Sequence, residues 1–497
     1  MNGMVTKHIL WSCTALAVLA CGDDDPPIDP PVPAAVEEFA GNGQTAAPGA
    51  QLSAPLTVLV TDDNGDPAAG VVVSWSVVSG GGSISPTSST SNAAGQASAQ
   101  FTLGPGEGEQ QAQAAVTGLD GSPVVFTATA SLDPTPNPTV LTIAGGGNNV
   151  PERYSSDLWV HGSFAYTGTW GGFPRKSNAG DVLKVWSLGA SGAPALVDSI
   201  KIPGISTVSD VQVSEDGQLL MLTAEYDPSG GLYLYSLADP ANPVFLDREI
   251  AAGGLHTATL ADIDGARYAF GARNSGPEGP ALVIYNVTDP SDISVSATVP
   301  IPPFYGIHDT FVRDGLAFVF AWDSGVIIYD VGDGRSGGSP TSPVEVSRLI
   351  TSATGATSPA VHNGWWFHNP VTGEKRYLFI GQEGPSVIGS EASGDIHVVD
   401  VSDLDNPSEV AFFHLDGAGA HNFWMDEARQ ILYAAFYDGG VVALDVSGEL
   451  RGDLSDRLLS QILPGGAGNT FTWGVQLANG SLYAIDMVSG LWQLKTE

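Results

Sequence analysis

The sequence predicts an all-β protein that is divided into two domains. A chain of 497 residues is too long for one ordinary hydrophobic core. Its 62 glycines and 34 prolines are typical of turn-rich β-structure, because both residues favour sharp turns and interrupt helices. In the second half, short apolar strands recur at a regular interval. We therefore predict a small β-sandwich followed by a ring of repeated sheets.

Residues 1–21 have the pattern of an export signal. Lys7 provides a positive start, and residues 9–20 form an apolar run that is too short to span a bilayer. The run ends in VLAC, with Cys21 last, which resembles the lipobox of bacterial lipoproteins. The resemblance implies cleavage before Cys21 and a diacylglycerol on its sulfur, so that acyl chains anchor the protein in a membrane. Residue 22 is not the Asp that retains some lipoproteins at the inner membrane, so we expect the outer membrane of the bacterial cell envelope.

The charge of the chain restricts its partners. A net charge of -36 argues against binding to nucleic acid, which requires a cationic surface. Residues 22–38 are rich in proline and carboxylates, so they are predicted to form a stiff, solvated tether. The only other cysteine, Cys13, lies in the leader, so the mature protein can form no internal disulfide.

Residues 39–131 are predicted to form the first domain. Short β-rich runs alternate there with Gly, Pro and Asp turns, as in a small antiparallel sandwich. The stretch VTDDNGDPAAGVVVSWSV, followed by SNAAGQASAQFTLG, resembles the bacterial Ig-like group 1 domain of invasin- and intimin-type surface proteins. The resemblance implies an Ig-like sandwich with Trp75 in its core. Alternate oxygens at residues 62–66 would suit calcium, but Pro67 stands where a calcium loop needs Gly, so a hairpin turn is favoured.

A Pro-rich linker at 132–139 precedes a repeat that covers residues 140–497. Its third-strand phrase occurs as VLKVWSL, LYLYSLADPANPV, LVIYNVTDPSDI, VIIYDVGD, IHVVDVSDLDNPSEV, VVALDVSG and LWQL. Four strands in each unit of roughly fifty residues predict a β-propeller with seven blades. The phrases resemble the LVIVD repeats of bacterial surface proteins and lipoproteins, which implies the same seven-bladed fold. The last unit lacks a fourth strand, so we expect residues 138–143 to close the ring, since an open seam would expose strand edges.

Four histidines occupy the same place in successive repeats. His256, His308, His362 and His421 each precede a small polar residue at the head of a first strand, and these heads meet around one axis in a propeller. The same channel mouth should receive the other first-strand heads and the carboxylates that end the second strands, namely Asp157, Asp210, Trp473, Glu225, Asp323, Glu383 and Asp438.

Three chemical interpretations of this set remain open. Neutral imidazoles with carboxylates are good ligands for a divalent transition metal such as zinc, iron, copper or manganese, whereas calcium is less suited. Alternatively, the His and Asp side chains hydrogen-bond to one another and to the turn backbone without any ion. In the third interpretation, His and carboxylate act as base and acid in catalysis without a metal. The other histidines, at positions 161, 368, 397 and 414, fall outside the register and receive no role. Trp365 and Trp366 are adjacent in an alternating strand, so one is predicted to face inwards and the other to pack between blades, and a core role is favoured over a sugar-binding platform.

Three hypotheses for the function follow. In the first, the protein is a cell-surface lipoprotein whose propeller binds a surface ligand or a protein partner, with the Ig-like domain as a spacer. In the second, it is a metal-dependent hydrolase, lyase or oxidase with its site at the channel mouth. In the third, it is a purely structural component of the envelope. The fold by itself does not decide between them.

Overall fold

The computed structural model describes residues 32–46, 48–52, 54–106, 108–131, 140–147, 153–171, 180–189, 192–225, 228–274, 276–302, 306–354, 356–384, 388 and 391–496. The export signal, Cys21 and the linker at 132–139 lie outside these ranges. Within them the structure is all-β, as predicted, apart from one short 3-10 helix at Ser455–Arg457. No helix in these ranges has the length and apolar character that a membrane crossing requires. The chain divides into two compact units, residues 1–130 and 131–497.

The first unit consists of two sheets around one core. Its strands β1 to β9 are Pro33–Ala40, Gln44–Ala46, Leu56–Asp62, Val72–Ser79, Ser83–Ser85, Ser88–Thr90, Gln96–Thr102, Gly108–Ala115 and Val124–Ala130. They pair in the orders β1-β3-β7-β5 and β2-β9-β8-β4-β6. Residues alternate between buried and half-buried along β7, as expected where one face of a strand covers a core.

Two details of this unit bear on the expectations from sequence. Trp75 is 3% exposed and packs against Phe126 with ring centroids 6.0 Å apart, so it is a core residue. Asp62 accepts hydrogen bonds from the backbone N–H groups of Asn64 (2.9 Å) and Asp66 (3.0 Å), which makes residues 62–66 a hydrogen-bonded turn. Strand β1 begins at Pro33 and pairs with β3, so the last residues of the predicted tether are part of the sheet.

The described residues of the second unit form seven sheets of at least four strands, numbered here in chain order. Sheets 1 to 3 are formed by β11 to β22, which are Tyr154–His161, Phe164–Trp170, Val182–Ser187, Ala195–Lys201, Thr207–Val213, Leu219–Glu225, Gly231–Ser236, Val244–Ile250, Ala258–Ile263, Ala266–Arg273, Ala281–Asn286 and Ser294–Pro300. In each sheet four consecutive strands pair antiparallel in chain order.

Sheets 4 to 6 repeat this arrangement with small variations. Strands β23 to β35 are Asp309–Arg313, Leu316–Phe320, Val326–Asp330, Val344–Leu349, Val361–Phe367, Tyr377–Gln382, Ile396–Asp400, Ser408–Phe413, Phe423–Asp426, Ile431–Ala435, Val441–Asp445, Gly452–Asp453 and Leu458–Ile462. Sheet 4 consists of β23 to β26, sheet 5 of β27 to β30 with β34 added at its edge, and sheet 6 of β31, β32, β33 and β35.

Sheet 7 joins the two ends of the second unit. Its first three strands, β36 to β38, are Thr472–Ala478, Ser481–Asp486 and Gly490–Thr496, and its fourth is β10, Leu141–Gly146. Strand β10 pairs antiparallel with β38, from Leu141 opposite Thr496 to Gly146 opposite Trp492. Leu141 is 5% exposed and packs in a core cluster with residues of sheets 6 and 7. The strand that precedes sheet 1 therefore supplies the missing fourth strand, as the sequence predicted.

The seven sheets are arranged in a closed ring. Each first strand contacts the first strand of the next sheet, from β11 through β15, β19, β23, β27 and β31 to β36, and β36 contacts β11 again. Central strands of the sheets, such as β16 and β24, are buried along their whole length, while outer strands such as β18 are exposed. The first strands therefore surround a common axis, and the core lies between neighbouring sheets.

Candidate functional site

A β-bulge near the start of each first strand directs side chains towards the axis. In sheet 1, residues 156 and 157 stand between two paired positions, and residues 209 and 210 do so in sheet 2. In sheet 3, His256 donates its N–H to Ala272 O, and Ala272 donates to Thr257 O, so two residues oppose one. Residues 421 and 422 oppose Ala435 in the same way. A bulge adds one residue and re-aims the side chains around it.

Alignment on these bulges identifies the residues that share one ring around the axis. The ring is called here the imidazole layer, and it consists of Ser156, Ser209, His256, His308, His362, His421 and Trp473. From the sequence, Asp157 and Asp210 were expected to lie in this layer with the histidines. The structure places them one residue further along, in the next layer, because the bulge puts Ser156 and Ser209 in register with the histidines.

The four histidine rings form a continuous contact chain. The ring centroids are 4.1 Å apart for His256 and His308, 3.7 Å for His308 and His362, and 4.1 Å for His362 and His421. His421 continues the chain to Trp473, whose ring lies 4.1 Å away. All four histidines are buried, so the cluster lies inside the protein and not at an exposed mouth.

Two of these histidines are oriented by hydrogen bonds from their Nδ1 atoms. His421 donates from Nδ1 to the backbone carbonyl of Trp473 (2.5 Å), which leaves its Nε2 with a free lone pair. His256 Nδ1 contacts the Glu225 carboxylate, and Ser209 Oγ lies 2.9 Å from the same carboxylate oxygen. Protein ligands of metal ions show this arrangement, in which the distal ring nitrogen is held by a carbonyl or a carboxylate.

The remaining two histidines face Glu383. Its Oε2 lies 3.7 Å from His362 Nε2 and 4.0 Å from His308 Nε2, while its Oε1 accepts a hydrogen bond from the Tyr437 hydroxyl. One ligand atom from each of His308, His362 and Glu383 lies within 4.8 Å of the other two. His256 Nε2 approaches His308 Nε2 to 2.7 Å from the neighbouring sheet.

Several nitrogen atoms of the cluster have no protein partner. Both ring nitrogens of His362, Nδ1 of His308 and Nε2 of His421 are buried without a hydrogen bond among the described residues. A buried polar atom without a partner carries a desolvation cost of about 1–3 kcal/mol. The cluster therefore contains donor atoms that a ligand would satisfy.

Burial keeps most of these imidazoles neutral. It lowers the pKa of His362 to about 3, and burial together with the neighbouring imidazoles holds the pKa values of His308 and His421 well below the usual range. His256 differs, because the Glu225 carboxylate outweighs the effect of burial and raises its pKa. Burial also raises the pKa of Glu383. Neutral imidazole is the form of histidine that binds metal ions.

The donor set fits a divalent transition metal. Two imidazoles and one carboxylate, with positions left open, are typical of non-haem Fe(II), and zinc accepts the same ligands. His308, His362 and Glu383 would supply these atoms, with His421 Nε2 and His256 Nε2 beside them. Calcium fits poorly, because it prefers oxygen ligands.

A second layer of polar side chains follows the imidazole layer along the axis. Asp157 accepts a hydrogen bond from the Asn422 amide (3.2 Å), and Asp210 accepts one from the backbone N–H of Ala258 (2.9 Å). Burial and the nearby Asp210 carboxylate raise the pKa of Asp157 well above its usual range and that of Asp309 to about 7. These carboxyl groups therefore stand close together in a poorly solvated channel.

Two of the predicted carboxylates lie apart from the histidines. Asp323 is placed to accept from the backbone N–H of Ala360 (3.3 Å), and Asp438 from that of Ala392 (3.4 Å). No contact of either with an imidazole is found among the described residues. The second strands of sheets 2 and 5 thus contribute Glu225 and Glu383 to the cluster, while Asp323 and Asp438 bond to neighbouring loops.

The layers line one axial cavity of about 1050 Å³. It extends from His256, His308 and His421 to residues near the opposite ends of the first strands, where Asp262 and Asp314 are exposed. Trp365 also lines it, whereas Trp366 is buried against Phe318, in agreement with the expected alternation of the two side chains. The missed signal is a spacing: an aromatic residue stands three positions after the imidazole layer at Trp159, Phe311, Trp365 and Trp424.

Comparisons with known proteins give similarities of fold. The β-propeller domain of Cps50 (Swd1) from Myceliophteria thermophila is 11% identical, with a TM-score of 0.47, over 70% of this chain and 99% of that one. Sqt1 from Chaetomium thermophilum is 12% identical, with a TM-score of 0.47, over 70% of this chain and 86% of that one. No protein-family profile and no curated protein sequence matches the chain, so its resemblance to LVIVD repeats and Ig-like domains stays a prediction. The closed ring rests on the contacts within this chain.

Proposed function

We propose that the second unit is a seven-bladed propeller of the LVIVD type that binds a ligand in its axial channel, at a divalent transition metal held by His308, His362 and Glu383. The observation that carries the proposal is the convergence of these donor atoms beside a large cavity that His308 lines, with ring nitrogens of both histidines lacking a hydrogen bond among the described residues. His362 is 1% exposed, and neither of its ring nitrogens has a well-formed hydrogen bond among the described residues, which a purely hydrogen-bonded cluster would require.

The proposal extends to the location of the protein. The lipobox-like VLAC sequence supports lipidation of Cys21, and the acidic, Pro-rich stretch after it supports a tether to the cell envelope, at the outer membrane. The two-sheet first unit with Trp75 in its core supports an Ig-like spacer. Together these features support a cell-surface lipoprotein that recognises a ligand or a protein partner.

A second candidate function is metal-dependent catalysis, as a hydrolase, lyase or oxidase. It is favoured by a specific observation: three protein ligands leave coordination positions open, and one of them, His308, lines the axial cavity. A metal ion in such a site polarises a bound substrate or activates water.

Metal analysis of protein purified without chelating resins tests the proposal. We expect about one transition metal ion per chain, as for a site with three protein ligands, and its loss in the double variant His308→Ala/His362→Ala. The control variant His414→Ala removes a half-exposed imidazole outside the cluster and should retain the metal. Circular dichroism verifies that each variant is folded. Protein that stays metal-free after incubation with zinc, iron, copper and manganese salts would refute the metal site.

A further inference from the structure

The third layer of the channel is an aromatic arc, defined here as Phe311, Trp365, Trp424 and Trp159. In this order, the ring centroids of neighbouring members are 5.3 Å, 5.3 Å and 5.8 Å apart. All four line the axial cavity and are half-buried, so their faces are partly open to the channel. They come from sheets 4, 5, 6 and 1, and the arc therefore extends around more than half of the axis.

The arc results from the pleat of the first strands. Side chains of residues two apart in a strand point to the same face, at a rise of about 3.3 Å per residue. Asp157 and Trp159 therefore face the axis in successive layers, as do Asp309 and Phe311. Each aromatic side chain thus lies about 7 Å along the axis from the polar layer.

The channel wall contains many more acidic than basic side chains. Eight acidic residues and two arginines are among the described residues that line the cavity. Both arginines are already paired: Arg267 with Asp262 at 2.7 Å, and Arg313 with Glu427 at 2.5 Å. Asp157, Asp210 and Asp309 bring three carboxyl groups to one layer, directly next to the aromatic arc.

Polar side chains occupy the part of the third layer that the aromatic arc does not cover, and they form hydrogen bonds to neighbouring sheets. Gln212 accepts from the backbone N–H of Leu260 (2.6 Å), and Thr259 donates to the carbonyl of Thr310 (2.5 Å). They offer little to a neutral ligand that needs many hydrogen bonds. Aromatic faces beside crowded carboxyl groups instead favour a positive charge on an apolar body, because a cation relieves the repulsion between neighbouring carboxylates.

We propose that the channel binds an organic cation, a substituted ammonium group on an apolar or aromatic body, with the charge held between the aromatic arc and the three carboxyl groups. A cation attracted to the negative face of a tryptophan ring gains most where water is excluded. The cavity of about 1050 Å³ accommodates a drug-sized molecule. This inference rests on the proposed ligand-binding function of the channel but does not require the metal.

Titration calorimetry with three matched probes tests the inference. They share a hydroxyphenyl body: (4-hydroxyphenyl)trimethylammonium is cationic, 4-tert-butylphenol is its neutral isostere, and 4-hydroxybenzenesulfonate is anionic. The titrations use metal-free full-length protein and the His308→Ala/His362→Ala variant, so that a failed metal site and a failed cation site give different results. We expect one cation bound per chain in both proteins, about tenfold more tightly than the neutral isostere.

Two substitutions test separately how the aromatic side chains and the carboxyl groups contribute to cation binding. Trp424→Leu removes the central ring of the arc and should weaken cation binding about tenfold. Asp309→Asn keeps the volume and should reduce the preference for the cation over its isostere. Phe245→Leu, at a half-exposed ring on outer strand β18, is the control and should change neither. Urea unfolding verifies that each variant is folded.

Three results would overturn the inference: equal affinity for the neutral isostere, tighter binding of the sulfonate, or no binding of the cation while a soluble oligosaccharide such as cellohexaose binds. The first would make the channel an ordinary apolar cavity, and the last would make the tryptophans a carbohydrate platform.

Discussion

Replacement of His362 by Gln should reduce the loss of stability of the metal-free protein in acid. The pKa of His362 is lowered to about 3 by burial, whereas an unfolded histidine has a pKa of about 6.5. Below pH 6.5 the unfolded chain therefore binds a proton that the folded protein excludes, and the folded state loses stability as the pH falls towards 3. At pH 4.5 the difference is about two pKa units, which corresponds to about 3 kcal/mol.

The assay is urea unfolding in the presence of a chelator at pH 7.5 and 4.5, followed by tryptophan fluorescence. Nine of the eleven tryptophans lie in the second unit, so the signal reports mainly on the ring. Between the two pH values, the variant should lose about 3 kcal/mol less than the wild type. His414→Gln is the control: the hydrogen bond to Asp395 raises the pKa of His414, so this variant should not lose less stability than the wild type. Equal losses in wild type and His362→Gln would show that this imidazole is not buried as a neutral group.

Three further predictions concern closure, the first unit and the anchor. Leu141→Ala should lower the free energy of unfolding by about 2–4 kcal/mol in a urea titration, because Leu141 is 5% exposed in the closing strand. The control Ile143→Ala, at a side chain that is 47% exposed, should lower it by less than about 1 kcal/mol. Equal losses in the two variants would contradict closure by this strand. Trp75→Ala should lower the free energy of unfolding of the first unit by about 3–5 kcal/mol, with Val78→Ala, at an exposed side chain, as the control. A loss below about 1 kcal/mol would contradict a core position for Trp75. Cys21→Ser should release the protein from isolated membranes to the soluble fraction in immunoblots, and continued membrane association would refute lipidation as the anchor.

Much of the fold could be predicted from the sequence, because repetition is a property of the chain itself. The third-strand phrases, such as LVIYNV, are buried strands of successive sheets. The closing strand could also be predicted. The strand at Leu141 and the last sheet would each have an unpaired edge if left alone, and pairing the two removes both edges. Strand β1 was harder to predict, because Pro33 and two glutamates gave it the composition of a tether, and its pairing with β3 overrides that composition.

The candidate site could be predicted only in outline. The common register of His308, His362 and His421 indicated convergence, and the structure brings their rings into contact. Which carboxylates join them could not be predicted, because Glu383 and Asp438 end their strands in similar ways. The direction of each side chain depends on the turn that follows.

The sequence by itself determined the four-strand repeat of the second unit and the recurrence of histidine at one place in that repeat, since both depend on local pattern. The tertiary structure decided which of two adjacent residues faces the axis. A bulge of one residue places Ser156 in the imidazole layer and Asp157 in the next. Pleated strands direct neighbouring side chains to opposite faces, so one inserted residue changes the lining of the channel while the apolar pattern hardly changes.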